Sequence, residues 1–410
     1  MLTKRNKQSF LDIKSTSILK KFHQTLKTQK QTDTKTKKTH KHTHTHTHTH
    51  IIEYIFAKTD LEQWTYQDIY KLLSSTSQNS NCMIDIMLYT KTFSAFIHIE
   101  NGKHKIVKIS PSSFFSEKTF QNFIEIVKKN QKKYQNKYQK DSKKDLENLN
   151  SIFVFGGHCN GWKCYTDDYT VDFEMIYNTF IKNNMKFNAI CFDCCYSSTF
   201  ELLYQFHDLT DYIIAHQSYV YGNGFNTRNL SKIFNIDNSN NISNISNNNS
   251  NNSNNISFLE KLIILCMDYL VRTIDEEKEF SNFTIIDTYH FKDFLKLFKE
   301  NYQSILGVIH NKKSKHFLTD VCNKCLIDNP NNEESIYNNM LDLYSIVKIL
   351  GNKKLIELYK KSVFYRENDI KKDGKYFNQN TKLNGINIII NPPNSKSNKY
   401  YLNLRFLKDF

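Results

Sequence analysis

The chain has 410 residues, 39% of them hydrophobic, so it can bury a substantial core in one large domain or in several of the usual ~150 residues. It contains no run of about 18 apolar residues, so no transmembrane segment is predicted. The formal net charge of +15 is concentrated in residues 1–50 and in the Lys-rich residues 128–144. Such segments are typically solvated chain, so the charge predicts no specific nucleic-acid partner.

The first segment, residues 1–50, is polar and Lys-rich and ends in a His-Thr repeat. This composition predicts a disordered basic tail. Alternating histidines suit a divalent metal when the chain is extended, but expansion of a simple repeat is the preferred interpretation. No function is therefore assigned to the repeat.

Folded structure is predicted from residue 51 onward. Residues 52–57 and 83–89 are apolar runs typical of buried strands, and residues 65–73 between them indicate a helix. Residues 93–99 and 105–109 flank Asn101-Gly102, which predicts a β-hairpin. An apolar stripe over residues 115–138 predicts an amphipathic helix that continues into the Lys-rich segment.

Two more buried strands are predicted at residues 151–155 and 187–192, with a helix over residues 171–183 between them. This order is typical of parallel strands joined by a right-handed crossover. A helix over residues 197–209 follows, in which Ser198 and Glu201 have the spacing of a capping box.

The remaining chain begins with an Asn/Ser-rich segment, residues 235–257, which predicts a mobile loop. Beyond it the pattern predicts three helices and three strands. One helix begins at residue 258, and the other two cover residues 291–305 and 336–350. The strands cover residues 283–286, 386–390 and 400–406. Residues 258–410 are either a continuation of the same fold or a helical subdomain, and the pattern leaves both open.

The chemistry predicted for this chain lies where two of these strands end. The strand over residues 151–155 leads into His158, and the strand over residues 187–192 leads into Cys195. Neighbouring parallel strands bring their carboxyl ends to one edge of the sheet. A cysteine and a histidine there are typical of a nucleophile and its proton-transfer partner. The helix predicted from Ser197 would lower the pKa of Cys195, and the backbone N–H groups of Cys159 and Cys195 would bind the oxyanion.

These motifs resemble the clostripain family of cysteine peptidases, which is related to caspases, gingipains and legumains. The family has an apolar strand, His-Gly-x-Gly-Trp, a helix, a second strand, Asp-Ala-Cys and a helix containing Glu. Residues 211–217 and the turn that follows are similar to the next strand and turn of the family. The corresponding residues here are His158-Cys159-Asn160-Gly161-Trp162, Asp193-Cys194-Cys195, Glu201 and Gly222-Asn223-Gly224-Phe225. The resemblance covers roughly residues 51–410 and is strongest over residues 150–225.

The resemblance implies a fold and an activity. The fold is a caspase-like α/β three-layer α/β/α sandwich with a mostly parallel central sheet, in which residues 51–234 form the catalytic core and a helix and strand extension follows. The activity is hydrolysis of peptide bonds after Arg or Lys by a dyad of His158 and Cys195, with no third residue required. Protein or peptide substrates with a basic P1 residue are the expected partners.

The resemblance also implies a specificity pocket and a route to activation. Asp193 corresponds to the floor of the S1 pocket, and the candidates for the pocket wall are Ala215, His216, Gln217 and Ser218. Self-cleavage after a basic residue is expected, with Lys163, residues 128–144 and Arg228 as candidates. Calcium dependence occurs in parts of the family, but the sequence has no calcium loop, so no cofactor is predicted.

Two departures from the family pattern support an alternative. Cys159 stands where the family has glycine, and Gly157 stands where an acidic residue is common. A position that needs positive φ would not tolerate Cys159, which would leave an inactive relative. The rival interpretation is therefore an inactive or zinc-stapled interaction protein whose basic tail binds polyanions.

The cysteines bear on this alternative and on cellular location. The pairs Cys191/Cys194 and Cys322/Cys325, with Cys159 and Cys164, offer zinc ligands. Strand periodicity places Cys191 and Cys194 on opposite faces, so no metal is predicted. Nine cysteines without a secretory signal favour free thiols and a cytoplasmic location.

Overall fold

The computed structural model describes residues 48–75, 82–91, 94–101, 103–110, 114–139, 149–166, 169–217, 220, 224–225, 227–234, 257–276, 283–311, 340–367, 384–389 and 404–409. The predicted tail up to residue 47 and most of the predicted loop 235–257 lie outside these residues. The chain divides into two compact units. Of the smaller unit, Met1–His46 with Ile236–Glu260, only residues 257–260 are described, and they begin a helix.

The larger unit, Thr47–Asn235 with Lys261–Phe410, contains the β-structure. Its strands are β1 (Thr49–Phe56), β2 (Cys82–Tyr89), β3 (Ser94–Glu100), β4 (Lys103–Ile109), β5 (Asn150–Asn160), β6 (Lys163–Tyr165), β7 (Phe187–Asp193), β8 (Thr210–Ala215), β9 (Phe283–Asp287), β10 (Met340–Asp342), β11 (Val363–Glu367) and β12 (Asn387–Ile389). The main sheet has the order β11-β9-β8-β7-β5-β1-β2-β3-β4, and β6 pairs with β5 beside this path. β10 and β12 form a separate pair.

Parallel strands form the centre of the main sheet and antiparallel strands form its borders. The pairs β2–β1, β1–β5, β5–β7 and β7–β8 are parallel, whereas β8–β9, β9–β11, β2–β3 and β3–β4 are antiparallel. The eight residues of β2 are all buried, as expected for a strand covered on both faces. Because β9 and β11 extend the same sheet, the C-terminal half contributes to one fold.

The helices are α1 (Glu62–Ser75), α2 (Glu117–Gln139), α3 (Phe173–Lys182), α4 (Phe200–Phe206), α5 (Thr227–Phe234), α6 (Phe258–Glu276), α7 (Thr288–Glu300), α8 (Tyr302–His310), α9 (Leu343–Leu350), α10 (Lys353–Ser362) and α11 (Arg405–Asp409). The apolar faces of α2, α3, α4 and α7 share one core cluster with the sheet. Leu72 of α1, Leu230 of α5 and Leu262 of α6 are buried outside that cluster. The arrangement is the predicted three-layer α/β/α sandwich. Among the described residues, no helix has the length and apolar character to cross a membrane.

Several local predictions differ from the structure. β1 begins at Thr49, before the expected onset at residue 51, because His50 is buried and bonded to Asp85, with 2.8 Å between Nε2 and Oδ2. The helix predicted over residues 291–305 is divided at Asn301 into α7 and α8. The strand predicted over residues 400–406 is wrong at its end, because the helix α11 begins at Arg405. The strand predicted over residues 386–390 corresponds to β12, which pairs with β10.

The predicted capping box before α4 is also wrong. Thr199 is the N-cap residue, and its side chain accepts a hydrogen bond from the N–H of Leu202. Ser198 instead donates a hydrogen bond to the carbonyl oxygen of Gly385. Glu201 is fully buried and accepts a hydrogen bond from the N–H of Ile389, at 2.9 Å. Both side chains therefore hold the segment that contains β12.

Candidate active site

The parallel pair β5–β7 brings the two predicted catalytic residues to one edge of the sheet. Gly156 of β5 is paired with Asp193 of β7, and His158 and Cys195 each follow this pair by two residues. Both side chains line a cavity of about 110 Å³, together with Asp193. The predicted placement of a histidine and a cysteine at neighbouring strand ends therefore agrees with the structure.

His158 is held by a hairpin and by an acidic neighbour. β5 turns at Gly161 and Trp162 into β6, which pairs His158 with Tyr165. The imidazole Nε2 of His158 lies 2.6 Å from Oδ1 of Asp60, and this hydrogen bond lowers the pKa of the Asp60 carboxyl below its ordinary value. With Nε2 bonded to Asp60, Nδ1 remains for exchange of a proton with a thiol.

Asp60 was missed by the sequence analysis. Its side chain is 82% exposed, against 32% for His158, so the pair is largely solvated. Its position in the chain was the one clue to this contact: Asp60 follows β1, and β1 is the parallel neighbour of β5, which carries His158. Without knowledge of that strand order, an aspartate in a polar loop has no distinguishing feature.

Cys195 is partly buried and contacts a later segment of the chain. The backbone N–H of Val220 donates a hydrogen bond to its sulfur at 3.3 Å, and the sulfur lies 3.6 Å from the carbonyl oxygen of Val220. Burial raises the pKa of the Cys195 thiol to about 11; the Val220 hydrogen bond lowers it less than burial raises it, and Asp193 raises it further. The thiol is therefore protonated at neutral pH in this arrangement.

The prediction that a helix begins beside Cys195 and lowers its pKa is wrong. α4 begins at Phe200 and has seven residues, so a turn separates the thiol from the helix. Tyr196, which follows the nucleophile in this turn, is fully buried and has φ of 55°. A bulky side chain in the left-handed region costs about 1–2 kcal/mol.

The strained turn is held by its own hydroxyl group and by the neighbouring strand. Ser197 Oγ donates to the carbonyl oxygen of Cys194 at 2.8 Å and accepts from the N–H of His216 at 3.1 Å. The N–H of Ser198 also donates to the carbonyl oxygen of His216. These bonds fix the direction of the turn that carries Cys195.

Asp193 lines the cavity and contacts a glycine. Its Oδ2 accepts a hydrogen bond from the N–H of Phe225 at 2.7 Å. A Cβ added to Gly224, whose φ is +41°, would overlap the carboxylate, so only glycine allows this approach. The cap of α4 is Thr199, so Asp193 does not cap that helix.

The predicted pocket wall requires correction. Ala215, His216 and Gln217 are buried and do not line the cavity. The His216 ring packs on Phe225, with 5.2 Å between ring centroids. Gln217 donates hydrogen bonds to Asp342 and Asn387 and accepts one from Gly385. Ser218 lies outside the described residues. The cavity is instead lined here by Val220, Gly224 and Phe225.

Cys159 fits the strand despite replacing the glycine of the family pattern. Among the described residues, positive φ outside glycine occurs at Asn101, Asn184 and Tyr196, so Cys159 is not strained. Its sulfur forms a disulfide with Cys164 across the β5–β6 hairpin. The expectation of free thiols is therefore wrong for this pair.

Cys191 and Cys194 have different surroundings, as strand periodicity predicted. Cys194 belongs to the core cluster that contains Cys159 and Cys164, whereas Cys191 lies outside it. The charge effect of Cys191 on the pKa of Cys266 places Cys191 near α6 instead. Cys322 and Cys325 lie outside the described residues.

Comparison with known proteins connects this site to a peptidase family. The family model described as the clostripain family, Peptidase_C11, matches residues 53–410. Comparison with curated proteins gives no significant match.

Solved structures give the same fold. One is described as a secreted C11 cysteine protease from Bacteroides thetaiotaomicron in complex with an irreversible peptide inhibitor. It has a TM-score of 0.59 and 13% identity, and the match covers 88% of this chain and 97% of that one. Another, an inactive zymogen C11 protease from Parabacteroides distasonis, has a TM-score of 0.56 and 16% identity, with 90% and 99% covered.

The expected cytoplasmic location is contradicted by this comparison. A further matched structure from B. thetaiotaomicron, with a TM-score of 0.54, 16% identity and 84% and 93% of the two chains covered, is also described as secreted. The cysteine count that suggested a reducing compartment is a weak guide, because two of these cysteines form a disulfide.

Proposed function

Because the chain belongs to the clostripain family and is a cysteine peptidase, we propose that it is an endopeptidase that cleaves after Arg or Lys through a dyad of Cys195 and His158. The observation that carries the proposal is the shared cavity: both side chains line it, and each follows the paired residues Gly156 and Asp193 by two positions. A scissile peptide bound there has a sulfur and an imidazole within its reach.

The proposed reaction moves one proton between the two residues. Cys195 Sγ attacks the carbonyl carbon while its proton passes to His158, and His158 then protonates the leaving amine. The oxyanion is stabilised by the backbone N–H groups of Cys195 and Cys159. Water activated by His158 hydrolyses the acyl-enzyme. The disulfide of Cys159 involves only its side chain, so its backbone N–H keeps its donor role.

Basic specificity is supported by the charge of the cavity. Asp193 contributes a carboxylate there, at the bottom of a wall formed in part by Gly224 and Phe225. A guanidinium or ammonium group at P1 would pair with this carboxylate. Arg offers several N–H donors in a plane and is therefore expected to exceed Lys.

We propose that the protein cleaves itself, and that this cleavage releases Cys195 from its contact with Val220. Cleavage needs an extended peptide, and residues 128–139 belong to the helix α2, which disfavours that part of the Lys-rich segment. Lys163 is extended, but it is disfavoured because it is paired with Asn160 of β5 in the β5–β6 hairpin. Arg228 is disfavoured in the same way as residues 128–139, because it lies in the helix α5. The remaining candidates are Lys140, Lys143 and Lys144, which lie outside the described residues. The matched zymogen from P. distasonis supports a latent form.

The test compares turnover of peptides whose Arg, Lys or Leu residue carries a fluorogenic amide. We expect Cys195→Ala to lose more than about a thousandfold of the activity and His158→Ala about a hundredfold or more. Cys191→Ala, the matched control, changes a buried cysteine of β7 that does not line the cavity and should keep the activity. Equal turnover by wild type and Cys195→Ala would contradict the dyad.

Specificity and processing have separate tests. Asp193→Asn should reduce kcat/KM for the Arg substrate by about a hundredfold and leave the Leu substrate unchanged. Incubation of wild type should yield two fragments, whereas Cys195→Ala remains intact. Replacement of Lys140, Lys143 and Lys144 by Ala should prevent cleavage if it occurs there. Arg and Leu substrates cleaved equally well would contradict the role of Asp193.

A further inference from the structure

Three cysteine sulfurs meet beside the proposed active site. The Sγ atoms of Cys159, Cys164 and Cys194 all lie within 4.8 Å of one another, and all three side chains are buried. Cys159 and Cys164 face each other across the β5–β6 hairpin and form a disulfide. Cys194 is a thiol in the turn after β7. A disulfide thus has a third cysteine next to it.

The position of each cysteine in the chain relates the cluster to the dyad. Cys159 directly follows His158, and Cys194 directly precedes Cys195. The cluster therefore spans the two chain segments that carry the proposed base and nucleophile. Cys191, three residues before Cys194, belongs neither to this group of three cysteines nor to the core cluster that contains them.

We propose that Cys159, Cys164 and Cys194 form a thiol–disulfide exchange site, in which the disulfide moves from the pair Cys159–Cys164 to a pair that includes Cys194. The Cys194 thiolate attacks one sulfur of the disulfide, a new S–S bond forms, and the old bond breaks. The released thiolate takes the proton that Cys194 gave up. The number of disulfides and electrons is unchanged, so the exchange needs no oxidant. A low-molecular-weight thiol, such as glutathione, would open the site by reduction, and its disulfide would close it.

The two disulfides constrain the protein differently. Cys159 and Cys164 are separated by five positions within a hairpin that strand pairing already closes, so their bond restricts little else. A bond from Cys194 to either partner would cross-link this hairpin to the turn that carries Cys195. On the proposed function, we expect the cross-linked form to turn over substrate more slowly, because Cys195 must leave Val220 before it reacts.

Burial determines how fast the exchange proceeds. It raises the pKa of Cys194 well above the ordinary value for a thiol, so little thiolate forms at neutral pH. Exchange should therefore accelerate as the pH rises. Reduction followed by reoxidation also accelerates with pH, because it too proceeds through thiolates, so the pH series on the wild type is run without oxygen and without added thiol.

The experiment maps disulfides by mass spectrometry of unreduced digests after alkylation in denaturant. Cys164→Ser, treated with oxidised glutathione, should yield a Cys159–Cys194 cross-linked peptide. Cys194→Ser should yield only Cys159–Cys164. The control Cys191→Ser should give the same disulfide map as the wild type. In the wild type, a disulfide that contains Cys194 should form faster at pH 9 than at pH 7. Both pH values lie below the raised pKa of Cys194, where the thiolate fraction grows about tenfold with each pH unit.

Several results would overturn the proposal. These are Cys194 fully alkylated in oxidised Cys164→Ser, a wild-type map that never contains Cys194, or one zinc ion per chain with all three thiols reduced. If Cys164→Ser does not fold, the wild-type pH series decides alone. None of these measurements depends on turnover. A disulfide map as expected in an inactive protein would contradict the proposed function and leave the exchange site intact.

Discussion

The backbone N–H of Val220 donates a hydrogen bond to the sulfur of Cys195, with 3.3 Å between N and Sγ. The carbonyl oxygen of the same residue lies 3.6 Å from that sulfur. Both backbone polar groups of Val220 therefore lie against the sulfur of the proposed nucleophile. Since burial also raises the pKa of the thiol, Cys195 is protonated at neutral pH in this arrangement.

The first prediction concerns the reactivity of this thiol. Cys195 should react slowly with iodoacetamide near neutral pH and faster as the pH approaches about 11, because only the thiolate reacts. The rate is read from the mass of the peptide that contains Cys195, with Cys195→Ala as the control that lacks the adduct. A rate that is already constant below the ordinary thiol pKa of 9.0 would show that the buried arrangement is not the one in solution.

The second prediction concerns the hydrogen bond between Asp60 and His158. Asp60→Asn should lower kcat by about fivefold with little change in KM, because an exposed pair contributes at most about 1 kcal/mol and orients the imidazole rather than the substrate. Asp293→Asn, which changes an exposed carboxylate on α7, is the control. A rise in KM with constant kcat would indicate that Asp60 contacts substrate instead.

The elements around the site could be predicted because their signals are local. Residues 151–155 and 187–192 are apolar runs within β5 and β7, and a parallel pair of strands needs only the helical pattern between them. The hairpin of β3 and β4 is similarly encoded by Asn101-Gly102. For these elements, hydrophobic period and turn residues are sufficient.

The environment of the site could not be predicted because its contacts join distant residues. Val220 is 25 positions from Cys195, and Asp60 is 98 positions from His158. Neither contact has a local pattern, and both depend on strand order. The pKa of Cys195 depends on the same information, because its largest cause is the burial of the thiol, and α4 begins three residues after the predicted start at Ser197.

His50 shows the opposite error, in which a local pattern concealed a tertiary contact. It is the last histidine of the His-Thr repeat, and its composition predicted disorder. In the structure, His50 is instead ordered in β1, where its imidazole is hydrogen-bonded to the buried Asp85 of β2. The low-complexity composition therefore missed the start of β1 at Thr49, whereas residues 1–47 lie outside the described residues.

The third prediction follows from the His50–Asp85–His98 network. Burial alone would raise the pKa of Asp85, but hydrogen bonds from His50 and His98 outweigh it and hold the pKa below 3.8. Burial alone would lower the pKa of His98, but Asp85 outweighs it and raises the pKa above 6.5. The stabilisation from Asp85 is therefore lost as the pH falls through its lowered pKa. That from His98 is full below 6.5 and lost as the pH rises through its raised pKa.

Urea unfolding at several pH values tests this network. The difference in free energy of unfolding between wild type and Asp85→Asn should be largest between about pH 4 and 6.5, at about 3 kcal/mol. Glu357→Gln, which changes an exposed residue paired with lysines, should leave the unfolding midpoint unchanged. A difference that is the same from pH 4 to pH 9 would mean that His98 makes no contribution through its charge.

The last prediction concerns Glu201, whose carboxyl is buried beside the segment that contains β12. Burial raises its pKa to about 8, although the hydrogen bond from the N–H of Ile389 opposes this. The unfolded side chain releases its proton near 4.5, so the folded protein loses stability as the pH rises from about 4.5 to 8. Each pH unit in this range costs about 1.4 kcal/mol, so the whole range gives at most about 5 kcal/mol. Glu201→Gln keeps an oxygen that accepts the hydrogen bond from Ile389 and should remove this loss of stability at high pH. The variant should therefore be more stable than wild type at pH 9 and similar at pH 5.

Urea unfolding at pH 5 and pH 9 measures this difference, with Glu300→Gln on the exposed end of α7 as the control. Parallel pH profiles for wild type and Glu201→Gln would show that the carboxyl is ionised in the folded protein at neutral pH.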